Sequence, residues 1–182
     1  MRPFGLLGAC LICVLARGAE GAVIAGPFTY PASGHSYYLL SFNTWTGSQA
    51  EALMLGGNLV TINDLAENNW IGDQFSGPAA AAGSSLWGWI GLNDSDNDGI
   101  YVWADGDPAS FRSWYQTDPP TINADDYVDM LFTRLDQWTT NPNGSSSFGQ
   151  KVGIVEIVPE PRIVSFLVFL LLSFVPRRGR AS

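Results

Sequence analysis

Apolar segments at both ends of the chain leave only its middle free to form a packed domain. The N-terminal segment starts with Arg2, continues through the apolar stretch 4–16 and ends in the small residues around Ala19-Glu20-Gly21, which is the order of a secretory signal. The C-terminal segment contains the apolar run 163–175. Roughly 135 residues remain, the length of one domain with one core. We expect a signal peptide at 1–21, a folded domain at 27–158 and a C-terminal sorting signal at 159–182.

The C-terminal segment has three parts in a definite order. Val158-Pro159-Glu160-Pro161 is followed by the apolar run and then by Arg177-Arg178-Gly179-Arg180. This order resembles the PEP-CTERM sorting signal of bacteria, which implies an exosortase-type processing enzyme as a partner. The apolar run would enter the membrane as a helix with the arginines on the cytoplasmic side. A plain anchor that is never cut is the alternative, and either version predicts an exported protein that is membrane-anchored, at the cell surface or in the extracellular matrix.

The middle of the chain is strongly acidic. Between residues 22 and 161, sixteen acidic residues face only three basic ones, which are Arg112, Arg134 and Lys151. Such a surface repels phosphate backbones, so we expect no nucleic-acid partner, although acidity also simply keeps a surface protein soluble. Both cysteines, Cys10 and Cys13, lie in the N-terminal apolar segment. The domain therefore has no disulfide, thiol nucleophile or thiolate metal site.

Local signals predict strands, two helices and then more strands. Residues 28–42 alternate apolar and polar side chains and predict one or two strands. Thr44 or Thr46 can cap a first helix, with an apolar stripe formed by Ala50, Leu53 and Met54. Further strands are predicted at 86–92, 100–103 and 152–158, with irregular stretches between them. Helices first and strands later indicate an α+β fold.

A second helix is predicted to start at Asp64, which forms a capping box with Glu67. The stretch 78–85, rich in alanine, glycine and serine, is expected to be a loop. His35 is the only histidine and has no second histidine or cysteine with which to form a zinc site or a catalytic triad. We interpret it as a surface or turn residue.

The order and spacing of many residues between 37 and 157 resemble a C-type lectin-like domain. The residues that carry the resemblance are Tyr37-Tyr38, Trp45, Ala50, Gly56-Gly57, Leu59, Ile62, Glu67-Asn68, Trp89-Ile90-Gly91-Leu92, Trp103, Asp105-Gly106, Trp114 and Gly153-Ile154-Val155-Glu156. The resemblance implies two helices packed on antiparallel sheets with a long irregular ligand-binding loop. It also implies that Ala52 and Val155 occupy the positions of the family's usual long-range disulfide, as an apolar pair that can pack instead.

Ten of the sixteen acids lie between Asp94 and Asp136, and their clustering indicates a cation site. Calcium is the ion that clustered oxygen ligands on flexible loops suit best. The run 94–99 also fits the opening of an EF-hand-type loop, but strands flank it where helices would be needed. The lectin resemblance implies instead one calcium site at Asp94, Asp98, Asp125 and Asp126. A hydrophilic turn without metal is the alternative.

The family's sugar-coordinating triplets are altered in this chain. In their place stand Asp118-Pro119-Pro120, in which Pro119 can keep the cis-proline turn, and Trp138-Thr139-Thr140. Proline has no side-chain oxygen and threonine is a weak substitute for an amide or a carboxylate, so direct coordination of sugar hydroxyls by calcium is disfavoured. Ligand contacts are expected from Asp118 and from the aromatic residues Tyr115 and Trp138, although such rings more often belong to a core.

The sequence therefore predicts a noncatalytic binding protein for carbohydrate or extracellular polysaccharide, or for another extracellular ligand. A structural or adhesive protein that uses the fold for protein contacts is the first alternative. A secreted hydrolase is the second, because paired carboxylates can cut glycosidic bonds. No residue pattern marks one of these carboxylates as an acid catalyst.

Overall fold

The computed structural model describes residues 22–116, 118–119, 126–133, 137–144 and 149–160. The predicted signal peptide, the sorting segment beyond residue 160, Asp125 and Pro120 lie outside these ranges. Within them the chain forms two helices and eight strands that belong to one sheet. No helix of this part of the chain is long and apolar enough to cross a membrane.

The chain enters the domain through a β-hairpin. Strand β1 (Val23–Thr29) pairs antiparallel with β2 (Ser36–Phe42), and Phe28 lies opposite Tyr37. The turn between them closes through a hydrogen bond from the Gly34 amide to the Tyr30 carbonyl. The alternating pattern in 28–42 thus corresponds to two strands, of which the first starts earlier than the alternation suggests.

Helix α1 (Trp45–Met54) begins at the predicted cap, because the Thr44 side chain accepts a hydrogen bond from the Gly47 amide at 3.0 Å. The predicted apolar stripe is wrong, since Leu53 and Met54 are 59% and 70% exposed. The helix instead buries Glu51, which accepts a hydrogen bond from the Asn43 side chain and is thereby held against the sheet. The buried face of this helix consists of Trp45, Ser48, Glu51 and Ala52 and not of the predicted stripe.

Helix α2 (Leu65–Ala81) starts at the predicted capping box, in which the Asp64 carboxylate accepts from the Glu67 amide at 2.9 Å. The expected loop from residue 78 is wrong at its start, because the helix continues through Pro78 to Ala81. Proline removes one helical hydrogen bond. Burial of Phe75 and Ala79 against the sheet holds this last stretch in place.

The remaining strands complete a mixed sheet with the order β1-β2-β8-β4-β6-β7, in which β3 adds to β8 and β5 adds to β4. Their bounds are β3 Asn58–Leu59, β4 Trp87–Asn93, β5 Val102–Trp103, β6 Tyr127–Leu131, β7 Trp138–Asn141 and β8 Val152–Ile157. All pairs are antiparallel except β4 with β8. A parallel pair needs a long connection, and residues 94–151 supply it. The α+β architecture is confirmed, while the expectation of purely antiparallel sheets is corrected by this one pair.

The largest apolar cluster packs α2 against one face of the sheet, with Ile71 and Phe75 on the helix and Ile90 and Ile154 on the strands. Trp45 and Trp89 form a second cluster with Leu59. Both indole N–H groups are satisfied, since Trp45 donates to the Ile90 carbonyl at 2.7 Å and Trp89 to the Asn43 carbonyl at 3.0 Å. Buried tryptophans that also bond the backbone fix β4 in position, and β4 leads directly into the acidic loop.

Candidate functional site

Asp94 directly follows strand β4 and is buried at the start of the acidic run. The residue is 4% exposed. Its Oδ2 atom accepts a hydrogen bond from the Gly99 amide at 2.8 Å, whereas Oδ1 is buried and makes no hydrogen bond of normal geometry. A buried carboxylate oxygen without a donor is costly unless a cation or a donor reaches it. Oδ1 of Asp94 is therefore suited to be a cation ligand.

The sheet brings Asp126 to the same place. The Asp94 amide donates to the Asp126 carbonyl at 3.0 Å, just before β6 begins. Burial raises the pKa of Tyr101, and the charge of Asp94 together with a hydrogen bond to it, followed by the charges of Asp118 and Asp126, raises that pKa further. The three acids thus lie close enough to the Tyr101 hydroxyl to act on it electrostatically.

The other two predicted calcium ligands are placed differently. Asp98 is exposed in the turn after Asp94, and Asp125 lies outside the described residues. Among the residues that are described, no three histidine, cysteine, aspartate or glutamate side chains meet closely enough to hold a metal ion. The four-acid calcium site stays a prediction, supported by the adjacency of Asp94 and Asp126.

A cavity of about 440 Å³ includes one of the predicted site residues, Asp118. Its wall is formed by Trp87, Tyr115, Asp118 and Gln137 and by Thr139, Thr140 and Asn141 on β7. Two backbone hydrogen bonds position the wall, since the Tyr115 amide donates to the Trp138 carbonyl at 3.0 Å and the Asp118 amide donates to the Tyr115 carbonyl at 2.9 Å. The Asp118–Pro119 peptide bond is cis, as the resemblance implied. The structure therefore brings Asp118 and Tyr115 together in one concave site.

Trp138 does not join them. Its side chain is fully buried, and its indole N–H donates to Oδ1 of Asn68 at 2.9 Å. The rings of Trp103, Phe111 and Trp114 pack around it edge to face. Because the residue lies inward on β7, it belongs to the core, and the expectation of an exposed ligand-binding ring is corrected here.

Beneath the cavity lies a buried ion pair that sequence reasoning missed. Lys151 Nζ contacts Oδ2 of Asp129, and both side chains are almost completely buried. The ammonium group also lies 4.3 Å from the centre of the Trp89 ring. Burial raises the pKa of Asp129, while Lys151 acts in the opposite direction. Only a weak sequence signal indicated this ion pair, namely a single lysine directly before an apolar strand.

A second buried polar cluster joins α2 to the sheet. The Tyr37 hydroxyl lies 2.5 Å from Oε1 of Glu67 and 2.9 Å from Oε1 of Glu156, and Nδ1 of His35 lies 2.6 Å from the same Glu156 atom. His35 lies in the turn between β1 and β2, as interpreted from the sequence, and is in addition the partner of a buried carboxylate. Burial raises the pKa of Glu156, and the hydrogen bond to His35 opposes that shift.

Known proteins share both the sequence pattern and the fold. The family described as Lectin C-type domain matches residues 41–147, more than half of the chain. Lectin BRA-3 of Megabalanus rosa is 30% identical over 131 residues, which cover 69% of this chain and 76% of that protein. The secretory phospholipase A2 receptor of Oryctolagus cuniculus is 34% identical over 95 residues, covering 52% of this chain and only 6% of the receptor.

Solved structures agree on the architecture. The crystal structure of a calcium-independent type II antifreeze protein has a TM-score of 0.57 and 23% identity, and the match covers 78% of this chain and 93% of that one. A likeness at this identity establishes the fold alone. C-type lectin domains are binding proteins and not enzymes, so the hydrolase alternative is set aside. The family match, the relative that is covered over most of its length and the shared architecture together show that the chain belongs to the C-type lectin domain family.

Proposed function

We propose that this protein is an exported, surface-tethered binding module that recognises carbohydrate or another extracellular ligand in the cavity beside Asp118, with a calcium ion supporting the adjoining acidic loops. The observation that carries the proposal is the position of that cavity. It is concave, includes the aromatic residues Trp87 and Tyr115 in its lining, and shares Asp118 with the acids whose charges act on Tyr101. Aromatic walls combined with a few oriented polar groups are typical of small-ligand sites.

The calcium part of the proposal depends on Asp94. The buried Oδ1 of Asp94 and the neighbouring Asp126 fit one side of a calcium site, and Asp98 and Asp125 would supply the rest. When bound, the ion would neutralise the loop acids and hold the loops in place. An ion that binds only the folded state stabilises it, by about 2.7 kcal/mol at a concentration of 100 Kd.

Calorimetry and thermal unfolding with calcium test this part, with Asp94→Asn as the variant. Asparagine keeps one oxygen for the Gly99 amide but loses the charge of the buried carboxylate. The matched control is Asp96→Asn, which makes the same charge change at an exposed position two residues away. We expect calcium to raise the melting temperature of the wild type and the control, and to have little effect on Asp94→Asn. No heat and no stabilisation in the wild type would refute calcium binding.

A glycan array, with calcium and with chelator, tests the ligand class. Specific spots support carbohydrate recognition, and their sensitivity to chelator reports whether calcium is needed. The chain covers only 6% of the length of each of the phospholipase A2 receptors that it matches. The activities of those receptors therefore do not indicate which ligand this chain binds.

A structural or adhesive role is the second candidate, and the exposed apolar residues Leu53, Met54 and Leu55 at the end of α1 favour it. Three adjacent exposed apolar side chains suit a protein contact more than a sugar contact. A blank array together with self-association that Met54→Glu abolishes would support this candidate over the first.

The proposal of surface tethering depends on the sequence of the two end segments. Val158-Pro159-Glu160-Pro161, the apolar run and the basic tail would be processed by an exosortase-type enzyme or retained as an anchor. Cell fractionation of the native host tests this, comparing the full chain with a chain that ends at residue 160. Tethering predicts that the shortened chain is released into the medium, and retention of both forms at the surface would exclude a role for the segment.

A further inference from the structure

Another cavity, of about 280 Å³, lies around strand β5 and the loop that follows it. Residues 101–103 and 106–109 line it together with Arg112, and none of them lines the cavity that contains Asp118. Arg112 is one of only three basic residues in the domain, and Lys151, another of them, is buried in its ion pair with Asp129. A strongly acidic domain thus places one of its few positive charges in the wall of a cavity.

The Arg112 side chain is held by backbone carbonyls. Its Nη1 atom donates to the Ala109 carbonyl at 3.0 Å and to the Phe111 carbonyl at 2.7 Å, and Nη2 donates to the Tyr101 carbonyl at 3.3 Å. The guanidinium also lies 5.3 Å from the centre of the Trp103 ring. No carboxylate of the described residues forms an ion pair with it. The group is therefore fixed in position, while its charge has no anionic partner in this part of the chain.

The guanidinium of Arg112 keeps hydrogen-bond donors for a ligand. It has five N–H hydrogens, of which the three carbonyl contacts use three, and the Nε hydrogen and one Nη2 hydrogen have no acceptor among the described residues. Nε and Nη2 share one edge of the planar group, and such an edge binds a carboxylate through two parallel hydrogen bonds. Burial lowers the pKa of Arg112, because removal from water disfavours the charged form. A bound carboxylate would compensate for the lost hydration.

The rest of the lining suits the ring of a sugar. Asp107 is exposed, and its Oδ1 atom accepts from the Ala109 amide at 2.7 Å. Water screens an exposed charge, so this carboxylate opposes an anion only weakly, and it can accept hydrogen bonds from sugar hydroxyls. Val102, which is 48% exposed, and Pro108 add apolar surface. Donors for an anion, an acceptor for hydroxyls and apolar surface for C–H groups together complement a sugar that carries a carboxylate.

We propose that the cavity around Arg112 binds uronic-acid units of acidic saccharides, with the sugar carboxylate paired to the free edge of the guanidinium. This inference rests on the proposed function for its ligand class, carbohydrate, and assigns a separate site for it. The cavity is at the lower limit of small-ligand pockets, so it holds one sugar unit. The acidic domain repels polyanions at long range, but salt at 0.1 M screens that repulsion beyond about 10 Å. For a short saccharide the contact with Arg112 therefore decides binding.

Titration calorimetry of the full-length chain in calcium-free buffer tests the proposal, with trigalacturonic acid and its uncharged methyl ester as probes. We expect about tenfold tighter binding of the acid, because charge-assisted bidentate hydrogen bonds are stronger than neutral ones. Arg112→Gln should remove this preference, and Arg112→Lys, which keeps the charge but loses the planar edge, should reduce it. Asp107→Asn keeps an oxygen for the Ala109 amide and removes a negative charge from the lining. It should bind the acid at least as tightly as the wild type does.

Arg112 also joins three backbone carbonyls, so its replacement can lower stability, and thermal unfolding of each variant reports this effect separately. The comparison of the two probes in the wild type and in Asp107→Asn does not depend on it. Equal binding of acid and ester by the wild type, or binding of neither, would overturn the inference and leave Arg112 as a brace of the loop. A preference that persists in a folded Arg112→Gln variant, or that Asp107→Asn abolishes, would also overturn it.

The inference and the proposed function can fail separately. Neutral sugars that bind on the glycan array, and whose binding Asp118→Asn weakens, would support the proposed function even if both trigalacturonic probes bind equally. A preference for the acid that Arg112→Gln removes would support the Arg112 site even if Asp118→Asn has no effect on any sugar.

Discussion

Ala52 on α1 and Val155 on β8 lie in one buried apolar cluster, completed by Leu40. The family resemblance implied that these two positions replace a long-range disulfide, and the structure confirms that they pack in the same interior region. Both residues are fully buried. Apolar packing here joins the first helix to the last strand without a covalent link.

This relationship predicts that a disulfide can be introduced. The double variant Ala52→Cys, Val155→Cys should form a bond under oxidising conditions and gain about 2–4 kcal/mol in unfolding free energy, because it closes a loop of roughly 100 residues. Urea unfolding with and without reductant measures the gain. The single variants serve as controls for the loss of apolar packing. A folded double variant that stays reduced under oxidant would show that the two positions are not close enough to replace the bond.

The helix caps and the sorting of residues into helices and strands could be predicted because their signals are local. Thr44 and the Asp64–Glu67 pair each act within a few residues of themselves. The orientation of helix α1 was harder to predict, because Leu53 and Met54, which were expected on its buried face, are exposed. The helix instead buries Trp45, Glu51 and Ala52, and which face is buried depends on how α1 docks against distant parts of the chain.

The polar interior could not be predicted, because its partners are far apart in sequence. His35 and Glu156 are separated by 121 positions, and no periodic pattern links them. The same applies to Trp138, whose burial depends on an indole hydrogen bond to Asn68 across 70 positions. That Asp118 and Tyr115 lie together could be predicted, because they are close in sequence and in a loop that the family resemblance marked; their role in ligand binding stays a prediction.

The Lys151–Asp129 pair is expected to be sensitive to the loss of one partner. Lys151→Met should destabilise the protein by about 3–5 kcal/mol, since it leaves a buried carboxylate without its cation. Adding Asp129→Asn should recover most of that loss, because the neutral amide no longer needs compensation. A double-mutant cycle from urea unfolding measures the coupling. If Lys151→Met alone had the same urea midpoint as the wild type, the ion pair would not contribute to stability as predicted.

The buried cluster around Tyr37 predicts an unusual pH dependence. Burial raises the pKa of Glu156 above its ordinary value of 4.5. A raised pKa in the folded state means that this group's contribution to stability is fully present below the unfolded pKa and is lost as the pH rises through the folded one. The stability of the wild type relative to Glu156→Gln should therefore decrease as the pH increases from about 4.5 towards neutrality.

Urea unfolding of the wild type and of Glu156→Gln at a series of pH values, in chelator, tests whether the relative stability decreases with pH. Glu160→Gln makes the same charge change at an exposed position and corrects for the altered net charge. An increase in the relative stability of the wild type over the same pH range would contradict the raised pKa. It would show that the hydrogen bonds from His35 and Tyr37 outweigh burial.

Gly91 lies where the sheet leaves no space for a side chain. A Cβ atom there would lie 2.5 Å from the Leu59 carbonyl oxygen and 3.1 Å from that of Val60. The backbone cannot move easily, because the Gly91 amide donates to the Val60 carbonyl at 2.8 Å and the Gly91 carbonyl accepts from the Ala104 amide at 2.9 Å. Gly91→Ala should therefore cost about 1–3 kcal/mol, as other overpacked cores do.

Gly77 on α2 is the matched control for this prediction. Apart from its chain neighbours and its own helix backbone, a Cβ atom at Gly77 would meet nothing within 4 Å. Alanine is the better helix former, but the ring of Pro78 crowds a Cβ on the preceding residue, so Gly77→Ala should change the stability by less than about 1 kcal/mol. The same chemical change thus has a large cost at one position and a small effect at the other, and urea midpoints of the two variants measure both. Because Gly91 precedes Asp94 by three residues, its replacement should also weaken calcium stabilisation if the ion binds there. A Gly91→Ala variant as stable as the wild type would mean that the backbone of Leu59 and Val60 can shift to admit a methyl group.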